Sequence, residues 1–233
     1  MRELFELCGA DPELVFSPYC WRVRLALAHK GLDWQSRPTR FTDKDLIAFS
    51  GQKLVPVLID EGETVHDSLA IFAHLDQRYP QRPLLGGALA AERARLVERL
   101  SFHMVRVPLL KLLIPRVWQV IDPADREYFR SSREKALGMS LEAFADPQGG
   151  ERLFREGVAP LEMWLRDQPF LEGHAPGGCD YLLAGMLFWA WCLGAQPWAE
   201  DSALGAWFAR ILQTYEATHG PVKRAAIHVE ENQ

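Results

Sequence analysis

No stretch of this 233-residue chain is apolar for the width of a bilayer. The longest run, residues 181–195 (YLLAGMLFWAWCLGA), has 15 residues, where a spanning helix needs roughly 20. A buried core helix is the expectation there, and no membrane segment. Basic blocks are also lacking. Lys and Arg number 26 against 31 Asp and Glu, interspersed to a net charge of −5, which excludes the clustered positive footprint of a nucleic-acid binder. The opening MRELFELCGADPELVF has neither the apolar core nor the small-residue cleavage site of a secretory leader. Cysteine is scarce: Cys8, Cys20, Cys179 and Cys192 show no CxxC and no metal-ligand spacing. They read as reduced thiols of a cytoplasmic protein, packing as small apolar groups, with no metal bound.

What is present is ordinary for a soluble globular chain: 48% apolar and 24% charged residues, enough for one large core or two. Two textures divide it. Through about residue 80, runs at 4–7, 34–41, 55–59 and 64–66 read as strands between helical patterns, an α/β arrangement. Leu69, Phe72, Ala73, Asp76 and Tyr79 keep helical spacing and stop at Pro80, which cannot continue a regular helix. Residues 80–87, PQRPLLGG, are dense in Pro and Gly and mark a linker. Beyond it the pattern is helical. Residues 88–118 carry expected kinks at Pro108 and Pro115, and Asp122-Pro123 opens a further helix. Helices at 151–166, from Asp180, and at 204–215 follow. The polar tail from Pro221 is expected to fray. The expected division is a domain at 1–80, a linker at 81–87 and a helical domain at 88–233.

Residues 16–32, FSPYCWRVRLALAHKGL, begin a helix. Ser17 offers an acceptor to an early N–H, and Pro18 lacks a donor that would be orphaned there. Cys20, Val23 and Leu27 share a face. His29 and Lys30 suit the last turn, and Gly31 supplies the left-handed stop. Local physics thus accounts for Ser17 as a cap with no chemistry. Two further features point past that. Val55-Pro56 opens an apolar strand, where a cis bond is at home and an outward backbone can pair with a peptide ligand. Asp67-Ser68 precedes a helix, where Asp67 is either a simple cap or, with the Ser68 hydroxyl and free N–H groups, able to hold an ammonium and a carboxylate.

In this order and spacing, the Ser-Pro-Tyr-Cys helix, Val-Pro, Asp-Ser, linker and helical half resemble the cytosolic glutathione transferases over nearly the whole chain. SPYCWRVRLALAHKGLDW, FTDKDLIAFSGQ and DPADREYFRSSRE are similar to the serine-type, etherase-like class, which includes enzymes cleaving aryl ethers. The resemblance implies a thioredoxin-like N-terminal domain and an all-α helical-bundle C-terminal domain. It also implies glutathione as co-substrate, a small hydrophobic electrophile, a homodimer and a role in detoxification. Carried over, Ser17 is the catalytic hydroxyl facing the glutathione sulfur, and Val55 before Pro56 pairs with the cysteinyl backbone. Asp67 and Ser68 anchor the γ-glutamyl end, and Gln52 or Lys53 reaches the glycyl carboxylate. Phe102, Met104, Trp118 and Phe129 are candidates to line the electrophile site, with core packing the plainer account of each.

The sequence departs from the family at Gly177-Gly178-Cys179-Asp180, where Ser or Thr usually begins the apolar helix. Glycine supplies no side-chain acceptor there, which implies a weaker start to that helix. Leu54 stands before Val-Pro where some relatives have a polar residue. Two other readings stand beside the transferase: a glutathione oxidoreductase using Cys20, since Pro-Tyr-Cys is similar to half of a glutaredoxin motif, and a non-enzymatic glutathione or ligand binder.

Overall fold

The computed structural model describes residues 1–227. Strand β1 (Arg2–Leu7) leads into helix α1 (Pro18–Lys30) and strand β2 (Gln35–Thr39). A 3-10 stretch (Lys44–Ser50), β3 (Val57–Asp60), β4 (Glu63–His66) and α2 (Ser68–Arg78) complete the first half. The sheet order is β2-β1-β3-β4, with β1 parallel to β2 and the other pairs antiparallel. This is the thioredoxin-like arrangement expected. Leu4, Val57 and Leu58 are fully buried at its centre.

The second half is helical: α3 (Ala88–Ser101), α4 (Val107–Val120), α5 (Arg126–Leu137), α6 (Leu141–Phe144), α7 (Pro147–Asp167), α8 (Gly178–Cys192) and α9 (Ala203–His219). The expected break near Pro108 is a π turn at Phe102–Arg106 joining α3 to α4. Pro115 breaks nothing. It sits inside α4, and the Lys111 carbonyl that it leaves without a donor accepts the Asp146 N–H at 3.2 Å. The freed acceptor is satisfied from outside, so the helix continues.

Helix α1 differs from the one-faced helix its pattern predicts. Arg22 and Lys30 are buried along with Cys20, Val23 and Leu27, Arg22 because α8 covers its face and Lys30 because it reaches Asp76, Tyr79 and Gln81. Trp21 stacks on Phe188 with ring centroids 4.3 Å apart, a contact adding about 0.5–1.5 kcal/mol beyond its area. Gly185 makes this crossing possible: a Cβ there would strike the Pro18 carbonyl and lie 2.7 Å from Arg22 Cγ.

The segment around residues 79–87 is pinned on both sides. Lys30 Nζ donates to the carbonyls of Tyr79 (2.7 Å) and Gln81 (3.2 Å). The Asp76 carboxylate takes the N–H groups of Leu84 (2.8 Å) and Leu85 (2.7 Å), and the Leu84 carbonyl accepts Gly178 N–H at 2.9 Å. A second tie joins the halves at Asp125, which accepts from Phe41 N–H, Thr42 N–H and the Thr42 hydroxyl.

The start of α8 is better served than Gly177 implies. Glu172 places its carboxylate where a Cβ of residue 177 would lie, and Asp180 accepts the Gly177 N–H at 3.0 Å. The tail departs from expectation as well. Over residues 221–227 it is docked, with Val222 N–H on Glu216, Ala225 N–H on the Cys192 carbonyl and Lys223 paired with Asp11 and Glu13. The remainder of the tail lies outside the described residues.

Candidate functional site

Ser17 caps α1 with extended backbone (φ −64°, ψ 128°) and accepts the Cys20 N–H at 3.4 Å. The preceding loop is fixed by Phe16 N–H on the Leu7 carbonyl and by the bridge between Cys8 and Val15. Ser17 is 5% exposed, with its hydroxyl at the positive end of a 13-residue helix. The oxygen accepts here, and the O–H is the donor that a ligand can use.

Val55 lies next to this helix start, packed against the cluster of Cys8, Val15 and Cys20. The Val55–Pro56 bond is cis. Ladder pairing begins only at Val57, and among the described residues neither the N–H nor the carbonyl of Val55 has a backbone partner. The register Val57↔His66 then sets this free backbone beside Asp67 and Ser68.

Asp67 caps α2, its Oδ1 accepting Leu69 N–H at 3.0 Å and Ala70 N–H at 3.1 Å. Its φ of 69° is unusual for a residue with a side chain and costs of order 1–3 kcal/mol. Those two hydrogen bonds help to hold it there. Ser68 is buried, and its hydroxyl accepts Arg22 Nη1 at 3.4 Å. Ser17, Val55, Pro56, Asp67 and Ser68 therefore gather at one end of the sheet.

Gln52 and Lys53 separate. Gln52 Nε2 lies 3.3 Å from His66 Nε2, which carries it toward Asp67. Lys53 is exposed and engages its neighbour Lys44 only through its backbone carbonyl. Two residues escaped the sequence reading. Arg22 lies one helical turn past Ser17 and is wholly buried, donating Nε to the Leu182 carbonyl at 3.1 Å and Nη1 to Glu98 at 3.0 Å. Glu98, on α3, brings the helical half to this corner. A charged residue inside the apolar pattern of α1 was the available signal for Arg22, whereas nothing local marks Glu98.

Burial disarms the cysteines. The Cys20 thiol, fully enclosed, is pushed up to about 12, first by desolvation and then by the Glu6 charge, against the Ser17 hydroxyl and Leu7 N–H. Cys8 is pushed up to about 11 by the same cause. Neither supplies a thiolate near neutrality. All four cysteines are free and buried. Among the described residues no group of three or more His, Cys, Asp or Glu is placed to hold a metal ion, and no helix is long and apolar enough to cross a membrane.

Of the four electrophile-site candidates only Trp118 and Phe129 are paired by their rings. Phe129 is core, packed with Phe41 and Trp118. Phe102 is exposed on the π turn. Met104 lines a cavity of about 280 Å³ with Val97, Trp164, Cys179 and Leu183, all from the helical half.

Comparison with known proteins bears on the family and the fold. Residues 12–83 match the glutathione S-transferase N-terminal domain, and residues 94–217 match the C-terminal domain. A maleylacetoacetate isomerase of Pseudomonas aeruginosa is 32% identical over 200 residues, covering 80% of each chain. A glutathione S-transferase-like protein of Aspergillus flavus is 29% identical over 151 residues, 60% of this chain. This chain spans 55% of that protein's length. Among solved structures, a Phanerochaete chrysosporium glutathione transferase superposes with a TM-score of 0.79 at 23% identity, covering 93% of this chain and 96% of its own. A Ceriporiopsis subvermispora glutathione S-transferase solved in complex with glutathione gives the same values. With both of its domains matched in order, the chain belongs to the glutathione S-transferase family.

Proposed function

We propose that this protein activates the thiol of glutathione for attack on a small apolar or aromatic electrophile. The observation that carries the reading is the meeting of three groups at one sheet end: the Ser17 hydroxyl on a helix N-terminus, the unpaired Val55 backbone and the Asp67-Ser68 cap. Their order matches the parts of glutathione. Ser17 faces the sulfur, Val55 pairs with the cysteinyl backbone, and Asp67 with Ser68 takes the γ-glutamyl ammonium and carboxylate. Gln52 joins the glutamyl side through His66, and Lys53 is left to reach the glycyl carboxylate from solvent.

A free thiol with pKa near 8.5 is only roughly 3% thiolate at neutral pH. A hydroxyl donor and the helix field both favour the anion. Lowering the pKa by ~2 units requires about 2.7 kcal/mol of differential stabilisation and raises the thiolate to roughly three-quarters. Part of that gain is lost as nucleophilicity falls. Ser17 keeps its proton and donates to the sulfur anion. Aryl-ether cleavage is the subclass we favour on the serine-type sequence pattern: the thiolate forms a C–S bond at the alkyl carbon of the ether, the bond from that carbon to the ether oxygen breaks, and the phenolate leaves to take a proton from solvent. The helical half has the exposed apolar residues Leu89, Leu96 and Leu100 on α3, which suit a homodimer.

The similarity to the Pseudomonas isomerase favours a second reading of the same site. There the thiolate adds to an activated alkene, rotation follows, and the C–S bond breaks again with no net consumption of glutathione. Glutathione consumption separates the two. Mass spectrometry of reactions with aryl ethers, aryl halides and activated cis-alkenes reads adducts in one case and isomerised alkene in the other. Ser17→Ala is expected to remove most of either activity and to move the pH–rate profile to higher pH. Wild-type turnover with an unmoved profile would overturn the role given to Ser17.

A further inference from the structure

Arg22 is the most deeply buried cation in the molecule's first half, with no solvent exposure. Its Nε is spent on the Leu182 carbonyl and its Nη1 on Glu98 and Ser68 Oγ. Its Nη2 is buried, with no acceptor among the described residues. A buried donor left unmade is costly, and a guanidinium has five donors in a fixed fork. The Ser68 hydroxyl accepts from Arg22 and donates to nothing among the described residues. The Ser68 N–H is also unpaired there, since the Asp67 cap takes the N–H groups of Leu69 and Ala70 instead. Two unused donors on one residue thus open α2, an 11-residue helix, with a buried cation behind them. That donor set suits a carboxylate.

We propose that Arg22 is a positioning residue for the γ-glutamyl α-carboxylate, acting through Ser68, with Glu98 as the counter-ion that holds it. By occupying a lone pair of Ser68 Oγ, Arg22 turns that hydroxyl into a donor aimed at the ligand. It also supplies positive potential that a helix N-terminus alone lacks. Glu98 belongs to α3, so the helical half sets how much of that charge the ligand feels. The proposal rests on reading residues 17, 55, 67 and 68 as a glutathione site. It adds the group that distinguishes glutathione from thiols lacking the α-carboxylate.

The test compares glutathione with 4-aminobutanoyl-cysteinylglycine, which lacks only that carboxylate, by calorimetric Kd, with thermal unfolding run on every variant. Arg22→Lys is expected to weaken glutathione binding about tenfold and to leave the analogue within about twofold. Ser68→Ala follows the same pattern. The double variant is no weaker than the weaker single one, because both act on one contact. Equal losses for both ligands, or losses that multiply in the double variant, overturn the proposal. If Arg22→Lys does not fold, Glu98→Gln decides: removing the counter-charge raises the glutathione-to-analogue preference, and an unchanged preference overturns the proposal. The ammonium is common to both ligands and cancels in that ratio. Failure of wild-type protein to bind either ligand instead removes the glutathione reading itself.

Discussion

Asp180 accepts the indole N–H of Trp207 at 2.8 Å, and with it the N–H groups of Leu171 at 2.7 Å and Gly177 at 3.0 Å. One carboxylate thereby fastens the start of α8, the loop before it and α9. Asp180 has no solvent exposure, nor has Trp207. Burial pushes the Asp180 carboxyl above the usual carboxylate range, and the three donors pull it back.

Asp180→Asn preserves volume and removes a buried charge, yet it turns an NH₂ toward at least one of those three N–H groups. Leaving a buried donor unsatisfied costs about 1–3 kcal/mol, more than relief of the charge returns while charge-assisted bonds are being lost. The expected result is a lower urea midpoint with an unchanged m value. A midpoint equal to wild type would show that the capping bonds contribute little.

His29 joins the halves by a different route. Its Nδ1 lies 2.9 Å from the Tyr181 hydroxyl and its Nε2 lies 3.0 Å from the Arg82 carbonyl. The neutral ring suits both, donating from Nε2 and accepting at Nδ1. Burial lowers its pKa, the charges of Lys30 and Arg82 add to this, and the Arg82 carbonyl opposes it. A group whose folded pKa lies below its unfolded value of about 6.5 stabilises the fold fully above that pH. The contribution is lost as pH falls through the folded value. Wild-type Tm is therefore expected to drop on acidification below about pH 6.5, and His29→Gln to show a shallower drop over the same range. Parallel Tm–pH curves would remove His29 as the cause.

Gly185→Ala tests the α1–α8 crossing. The added methyl meets the Pro18 carbonyl and Arg22 Cγ at 2.7 Å, and neither backbone can give way without parting the helices. Overpacking of this kind costs about 1–3 kcal/mol, and a chain of this size loses roughly 2–4 °C in Tm per kcal/mol. Weakened glutathione binding is expected alongside, because Arg22 is the side chain displaced. An unchanged Tm would mean that the crossing has slack.

Much of this was legible in the sequence because it is local. Ser17-Pro18 and Asp67 announce helix starts, Pro56 opens a strand, and Gly31 ends a helix through short-range geometry alone. Arg22 and Glu98, which we propose as part of the site, were harder to read for the complementary reason. Arg22 looks like one more surface arginine until α8 covers its face, and Glu98 lies 76 positions from Arg22. The docking of residues 221–227 was hidden likewise, since Lys223 meets Asp11 and Glu13 only in three dimensions. Gly177 misled in the opposite sense. Its missing side chain makes room for Glu172.

Ser17→Cys converts residues 17–20 to a Cys-Pro-Tyr-Cys stretch and asks which thiol the site favours. A sulfur at position 17 would occupy the N-cap of α1, where free N–H groups and the helix field lower a thiol pKa. Cys20 stays enclosed, its thiol pushed up to about 12 by burial and by Glu6. With oxidised glutathione the thiolate at position 17 attacks one sulfur of the disulfide. A mixed disulfide forms, and the other half leaves as glutathione thiolate, taking a proton from solvent. Resolution by Cys20 requires its thiolate, which burial suppresses, so the adduct is expected to persist. Intact-protein mass spectrometry should therefore find one glutathione on Ser17→Cys, and none on wild type or on Ser17→Ala under the same conditions. Rapid loss of the adduct with formation of an internal disulfide would show Cys20 to be reactive and would restore the oxidoreductase reading. A stable adduct would show that the helix start meets glutathione sulfur, whichever atom the chain presents there.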